Sequence, residues 1–173
     1  MIFVTVGTEQ YPFNRLMQWL EILQESQILQ EELVVQYGTS TVLPSGSTVY
    51  RLLKDDDFRA HIQRARLVIA HCGEGTVLLL DQLSKPYVLV PRSVRFQEHV
   101  DDHQVELAVA LEGMAVPIAW CPGDLVRFLD QPRQTSISDL SDHSARVLSE
   151  RLHRRFGPLL GGRALADSPV SLP

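Results

Sequence analysis

A Rossmann-like α/β fold, a parallel sheet with helices on both faces, is the class this sequence predicts, and three observations predict it. Short, β-branched apolar runs recur along the chain, at Ile2–Val6, Leu33–Tyr37, Leu67–Ala70 and Tyr87–Val90. Runs this short and this evenly apolar read as strands buried on both faces, the habit of parallel sheets. Segments with helical spacing of apolar residues lie between these runs, and alternating strands and helices imply crossover connections. The 173 residues suit one domain, at about 100–200 residues per domain, and are enough to bury a core.

The elements follow in order. Ile2–Val6 forms the first strand, ended by Gly7-Thr8. Pro12 opens a helix that carries Phe13, Leu16, Met17, Leu20 and Leu23 on one face. Leu33–Tyr37 is the second strand, closed by Gly38, and a polar loop rich in Thr, Ser and Gly runs to Ser47. Val49–Leu53 is the third strand. Asp55, Asp56 and Asp57 offer an N-cap and favourable charge for a helix through Ala65. Leu67–Ala70 is the next strand, and His71–Thr76 the turn after it. A helix over Thr76–Leu83 is stopped by Pro86, and Tyr87–Val90 is stopped by Pro91. A helix follows from about Val100 to Leu111, then a last strand at Ala115–Trp120 and a short helix at Pro122–Leu129. The domain thus spans residues 1–130. Residues 131–138 read as a linker, residues 139–160 as an amphipathic helix, and residues 161–173 as a frayed tail.

Composition narrows the function classes. Net charge is −5, which argues against nucleic acid as a partner. Cys72 and Cys121 form neither a CxxC motif nor a metal-ligand spacing, so a reduced, cytoplasmic chain is expected. The N-terminus lacks the basic start of a signal peptide, and no apolar run approaches the ~18 residues of a spanning helix. Membrane contact is expected to be peripheral, through a partner.

In an open parallel sheet, ligands bind beyond the carboxyl ends of the strands. Three turns fall there: Gly7-Thr8, His71–Thr76 and Pro91–His103. In the middle turn Gly73 and Gly75 permit close approach of the backbone. Gly75 and Thr76 begin a helix, whose free N–H groups and positive dipole end form an anion site suited to a diphosphate. The competing reading is a glycine turn that only packs strand on helix. In the third turn Asp102, His103 and Gln104 can hydrogen-bond sugar hydroxyls, and Arg92 or Arg95 can meet a phosphate or carboxylate. A solvated loop before a helix start is the competing reading there. His71, His99 and His103 have no one-helix spacing, and neither metal nor cofactor is expected.

Three stretches together carry a family resemblance. They are His71-Cys-Gly73-Glu-Gly75-Thr76, then Lys85-Pro86-Tyr-Val-Leu-Val-Pro91-Arg92, then Glu98-His99-Val-Asp-Asp102-His103-Gln104-Val-Glu-Leu-Ala108. In this order they resemble the C-terminal, donor-binding domain of family-28-type GT-B glycosyltransferases. The start, Phe3-Val-Thr5-Val-Gly7-Thr8 with Pro12-Phe13, is similar to the small single-domain branch of that family. That branch includes the soluble subunit of a two-part UDP-N-acetylglucosamine transferase and bacterial exopolysaccharide subunits that transfer glucuronic acid or galactose.

The resemblance implies an inverting transfer from a UDP-sugar to a polyprenyl-diphosphate-linked sugar acceptor, without a metal. It implies a donor site of Gly7, Thr8, His71, Gly73, Glu74, Gly75, Thr76, Arg92, His99, Asp102, His103 and Gln104. Gly75 and Thr76 would hold the diphosphate, and Gln104 with Asp102 and His103 would touch the sugar. Two positions depart from the pattern. Leu79 stands where the two-domain members carry a ribose-binding glutamate, and Glu74 stands where small residues are common. The general base is not marked, and Glu74, His71 or a partner's residue remain open for it.

A GT-B enzyme has two such domains facing a cleft, and this chain has room for one. The acceptor half is expected from a membrane-anchored subunit, with a homodimer possible for the isolated chain. Leu140, Leu148, Leu152 and Phe156, among Arg146, Arg151, Arg154 and Arg155, are the expected docking stripe, with an ordinary helix packed on its own domain as the competing reading. A nucleotide-binding regulatory module without catalysis is the alternative.

Overall fold

The computed structural model describes residues 1–133. Its sheet is five-stranded and parallel: β1 (Ile2–Thr5), β2 (Leu33–Gln36), β3 (Thr48–Tyr50), β4 (Leu67–His71) and β5 (Tyr87–Val90). The order is β3-β2-β1-β4-β5, the Rossmann-like arrangement. β1 pairs with β2 from Ile2↔Leu33 to Thr5↔Gln36, and with β4 from Ile2↔Leu67 to Thr5↔Ala70. The chain reverses its direction of travel across the sheet between β1 and β4, so a crevice opens above their carboxyl ends.

Among the described residues five α-helices surround the sheet: α1 (Asn14–Glu25), α2 (Asp55–Arg64), α3 (Glu74–Gln82), α4 (His103–Glu112) and α5 (Pro122–Asp130). α1 buries Leu16, Met17, Leu20 and Leu23, the stripe its spacing predicts. These pack with Ile2, Val4, Leu33, Val35, Leu67, Ile69, Val88 and Val90, and with Leu125 and Phe128 of α5, in one apolar cluster. Alternation along the strands sends Phe3 to the opposite face, where its ring meets Phe58 edge-on at 5.4 Å and stacks on His61 at 5.5 Å. Every residue of β1, β2, β4 and β5 is buried, as strands covered on both faces must be.

Several boundaries differ from the sequence expectation, each for a local reason. α1 starts at Asn14 rather than Pro12, because Phe13 stays out of helical geometry and donates its N–H to Ser40 Oγ at 3.1 Å. The three aspartates of α2 occupy its first turn, where they favour the helix dipole, and the N-cap is Lys54. β3 stops at Tyr50, which frees Leu52 and Leu53 to line the crevice. α4 starts at His103 rather than Val100, since the Asp102 carboxylate is engaged upstream, accepting from Ser93 Oγ at 3.1 Å and Val94 N at 3.0 Å. The expected strand at Ala115–Trp120 shrinks to one bridge, Leu89↔Ile118. Pro117 has no N–H to extend the ladder, and Ala115 sits at φ 65. α3 begins at Glu74 with Gly73 as N-cap, two residues earlier than expected, which moves its free amides toward β4. Most of the expected linker and all of the C-terminal helix and tail, from residue 134 onward, lie outside the described residues.

Candidate functional site

A cleft of about 550 Å³ opens over the carboxyl ends of β1, β2 and β4. It gathers Gly7, Thr8, His71, Gly73, Glu74, Gly75 and Thr76 from two separate turns. These seven of the twelve expected site residues share one cavity. It also takes in residues that sequence reasoning missed: Thr5, Glu9, Gln36, Leu52, Leu53, Asp55 and Phe58.

The first turn is built on β1. Gly7 sits at φ +76, a conformation glycine adopts without strain. Thr5 and Gln36, paired across β1 and β2, are the polar residues that end two apolar strands. Thr5 Oγ1 donates to Gln36 Oε1 at 2.6 Å, and Gln36 Nε2 donates to the Gly7 carbonyl at 2.9 Å. The carbonyl side of the turn is thereby fixed. A polar residue closing an otherwise apolar buried strand was the signal that could have found both.

The second turn is built on β4 and α3. A helix start leaves its first N–H groups without intrahelical acceptors. Among the described residues, no acceptor meets the N–H of Glu74, Gly75 or Thr76, and none meets those of Thr8 and Glu9 in the first turn. Two sets of unsatisfied amides and one positive dipole end therefore converge on the cleft. Such amides in a concave turn favour an anion. The cleft's own side chains do not add to this attraction. Its charged members are Glu9, Asp55 and Glu74, with no Lys or Arg among them.

His71 joins the two turns. Its imidazole is 7% exposed and lies between Gly7 and Gly73. A Cβ on Gly7 would come within 2.5 Å of His71 Nε2, and one on Gly73 would come closer still. Both glycines are thus required by the ring between them. Gly75 is different, since a Cβ there meets nothing within 4 Å. Nδ1 of His71 has no partner of good hydrogen-bond geometry, though the nearby Thr5 carbonyl partly opposes the shift of the ring. Burial pushes the imidazole down to about 3, and the charge of Arg92 adds to the push. Burial likewise pushes the adjacent Cys72 thiol up to about 12, so it is no nucleophile.

A pH dependence follows. Folded His71 stays neutral where the unfolded chain, near the ordinary imidazole value of 6.5, takes a proton. Its contribution to stability is complete above pH 6.5 and is lost as pH falls toward 3. The melting temperature of the wild type is expected to fall more steeply between pH 6.5 and 4 than that of His71→Gln. Parallel curves in calorimetry would remove His71 as the source.

The remaining five expected residues lie outside this cavity. Arg92 is fully buried, and its guanidinium is spent on backbone carbonyls, donating to Val6 O at 2.6 Å, Tyr11 O at 2.8 Å and Glu98 O at 3.1 Å. It is therefore placed beneath the turns rather than at a ligand. Gln104 is buried, and its Oε1 accepts the Arg92 N–H at 3.2 Å. Asp102 holds the loop after β5 through Ser93 and Val94. His99 accepts the Asp101 N–H at 3.3 Å through Nδ1, and its Nε2 faces Glu9 Oε1 on the cleft rim at 3.9 Å. His103 is exposed, 3.3 Å from Asp101 through Nδ1.

Comparison with known proteins agrees in family. The human UDP-N-acetylglucosamine transferase subunit ALG13 is 30% identical over 146 residues, 76% of this chain. The mouse subunit of the same name is 33% identical over 118 residues, 63% of this chain. This chain spans only 12% and 10% of their lengths. Among solved structures, the glycosyltransferase SnogD from Streptomyces nogalater superposes with a TM-score of 0.47 at 19% identity, over 68% of this chain and 30% of that one. MurG from Acinetobacter baumannii gives 0.47 at 20% identity, over 73% and 40%. The family model described as the glycosyltransferase family 28 C-terminal domain matches residues 1–149. With most of its length covered by that match, the chain belongs to the glycosyltransferase family 28 C-terminal domain family.

Proposed function

We propose that this chain is the donor-binding, catalytic part of a heteromeric inverting glycosyltransferase, moving a sugar from a UDP-sugar to a polyprenyl-diphosphate-linked acceptor. The donor is UDP-glucuronate, UDP-galactose or UDP-N-acetylglucosamine, and the product feeds polysaccharide synthesis. The observation that carries the reading is the meeting of two sets of free backbone amides, from the Gly7 turn and the start of α3, in one cleft at the sheet's switch point. A leaving diphosphate is the anion that such a cradle suits. Leu52, Leu53 and Phe58 supply an apolar wall for the base.

Family membership supports the reaction class, and the relatives named as subunits support a partner. Among the described residues no helix is long and apolar enough to cross a membrane. In this reading a membrane-anchored second subunit on the cytoplasmic face supplies the acceptor wall. His71 serves as a neutral hydrogen-bonding group rather than the general base, because an imidazole held near 3 takes up a proton poorly at neutral pH.

UDP is expected to raise the melting temperature of the isolated chain, with the shift growing with ligand concentration as linkage requires. No shift with millimolar UDP or any of the three UDP-sugars would sink the donor site. A non-catalytic nucleotide-binding module is the second reading, favoured by Leu79 in place of a ribose-binding glutamate. It predicts UDP binding with no transfer in the presence of any partner.

A further inference from the structure

The buried Arg92 is unused by the chemistry above, yet it is the largest fully buried side chain among the described residues. Burying a cation costs free energy that its hydrogen bonds must offset, and an apolar side chain of similar volume often fills such a space at lower cost. Burial lowers its pKa to about 10, which leaves it charged at neutral pH. Its Nε is buried without a partner. What the guanidinium gains is geometry. Its bonds to Val6 O and Tyr11 O grip both ends of the turn that contains Gly7, Thr8 and Glu9. Its bond to Glu98 O grips the loop after β5.

The grip extends in both directions. Gln104 is fastened to the Arg92 backbone N–H. Glu98 is held in turn by Arg15, through Nε to Oε1 at 2.9 Å and Nη2 to Oε2 at 2.8 Å, and by Ser93 N–H at 3.2 Å. Phe13 lies under the guanidinium, 4.7 Å from ring centroid to Cζ. A continuous chain of contacts thus runs from Gln104 through Arg92 to the Gly7 turn.

We propose that Arg92 is a positioning residue that fixes the Gly7 turn against the loop after β5, so that the Thr8 and Glu9 amides keep their place opposite the α3 amides in the cleft. The inference rests on the donor-site reading above. Loss of the clamp leaves the α3 amides in place but loosens those of Thr8 and Glu9, so UDP binds more weakly.

The test uses the full chain with Arg92→Met, which keeps bulk, and Arg92→Lys, which keeps charge but cannot reach three carbonyls at once. Calorimetry measures UDP affinity, and hydrogen exchange of the ligand-free chain follows Thr8, Glu9 and residues 93–98. In Arg92→Met, UDP affinity is expected to fall about tenfold, the size of one lost hydrogen bond. Exchange should quicken in both loops, with Arg92→Lys intermediate. If Arg92→Met does not fold, Arg92→Lys alone decides. Unchanged UDP affinity in a folded variant, or quickened exchange in one loop or neither, overturns the proposal. Failure of the wild type to bind any uridine ligand would instead refute the donor site, and the exchange data would still decide whether Arg92 couples the loops.

Discussion

Gly75→Val is expected to weaken UDP binding by about 100-fold or more while leaving the melting temperature within a few degrees of wild type. The two halves of that expectation come from different facts. Gly75 is the second residue of α3, and a Cβ there meets nothing within 4 Å, so the protein has no contact to lose and no clash to absorb. Valine is also a better helix former than glycine by a few tenths of a kcal/mol. The open space that spares the fold is the cleft itself, since Gly75 lines it. A branched side chain there stands between a phosphate oxygen and the N–H groups of Gly75 and Thr76. Hydrogen bonds to a charged group contribute about 1.5–3 kcal/mol each, so losing two of them reaches the stated factor. Calorimetry with UDP and a thermal melt suffice. Unchanged affinity would place the diphosphate away from this turn.

The purified chain is expected to transfer sugar to a lipid acceptor at least about 1,000-fold more slowly than the same chain with an acceptor-binding membrane subunit. Holding two reactants in one geometry contributes about 7–11 kcal/mol to the best intramolecular reactions, and a modest share of that gives the factor. The described domain offers one wall, the crevice above β1 and β4, and that wall carries three carboxylates with no cation. Electrostatics alone therefore leave this half poorly suited to hold two diphosphates, the donor's and the acceptor's. A second subunit that contributes basic groups across the cleft would correct that balance. The assay is transfer of labelled sugar with and without candidate partners. Full turnover by the isolated chain would show that no partner is needed.

Periodicity made the fold legible, and non-local packing hid part of the site. Leu16, Met17, Leu20 and Leu23 announce α1, and all four are buried. The uniform apolarity of Tyr87–Val90 marks β5 to the residue. Helix starts were less legible because they are set by contacts far away in sequence. Asn14 Oδ1 accepts the Thr41 N–H at 2.8 Å, which no local pattern reveals. The glycine turns of the cleft could be read, since their chemistry is that of the backbone. The chemistry of a guanidinium points Arg92 or Arg95 to a phosphate or carboxylate, whereas the structure spends Arg92 on backbone carbonyls. That its guanidinium lies among the carbonyls of Val6 and Tyr11 depends on segments 86 and 81 residues apart meeting in the fold, and composition is silent on that.

The slot that holds His71 has a consequence for how this sequence can change over time. Gly7 and Gly73 lie on separate turns, yet each is constrained by the same ring. A mutation that enlarges either glycine first meets the buried imidazole. A mutation that shrinks His71 first opens room at both positions, so later changes at Gly73 become tolerable that were not before. Gly7 remains bound by its positive φ even then. The expected order of divergence at the three positions is therefore histidine before glycine. Sequences that keep the histidine should keep both glycines, while those that lost it should vary at the second glycine more than at the first.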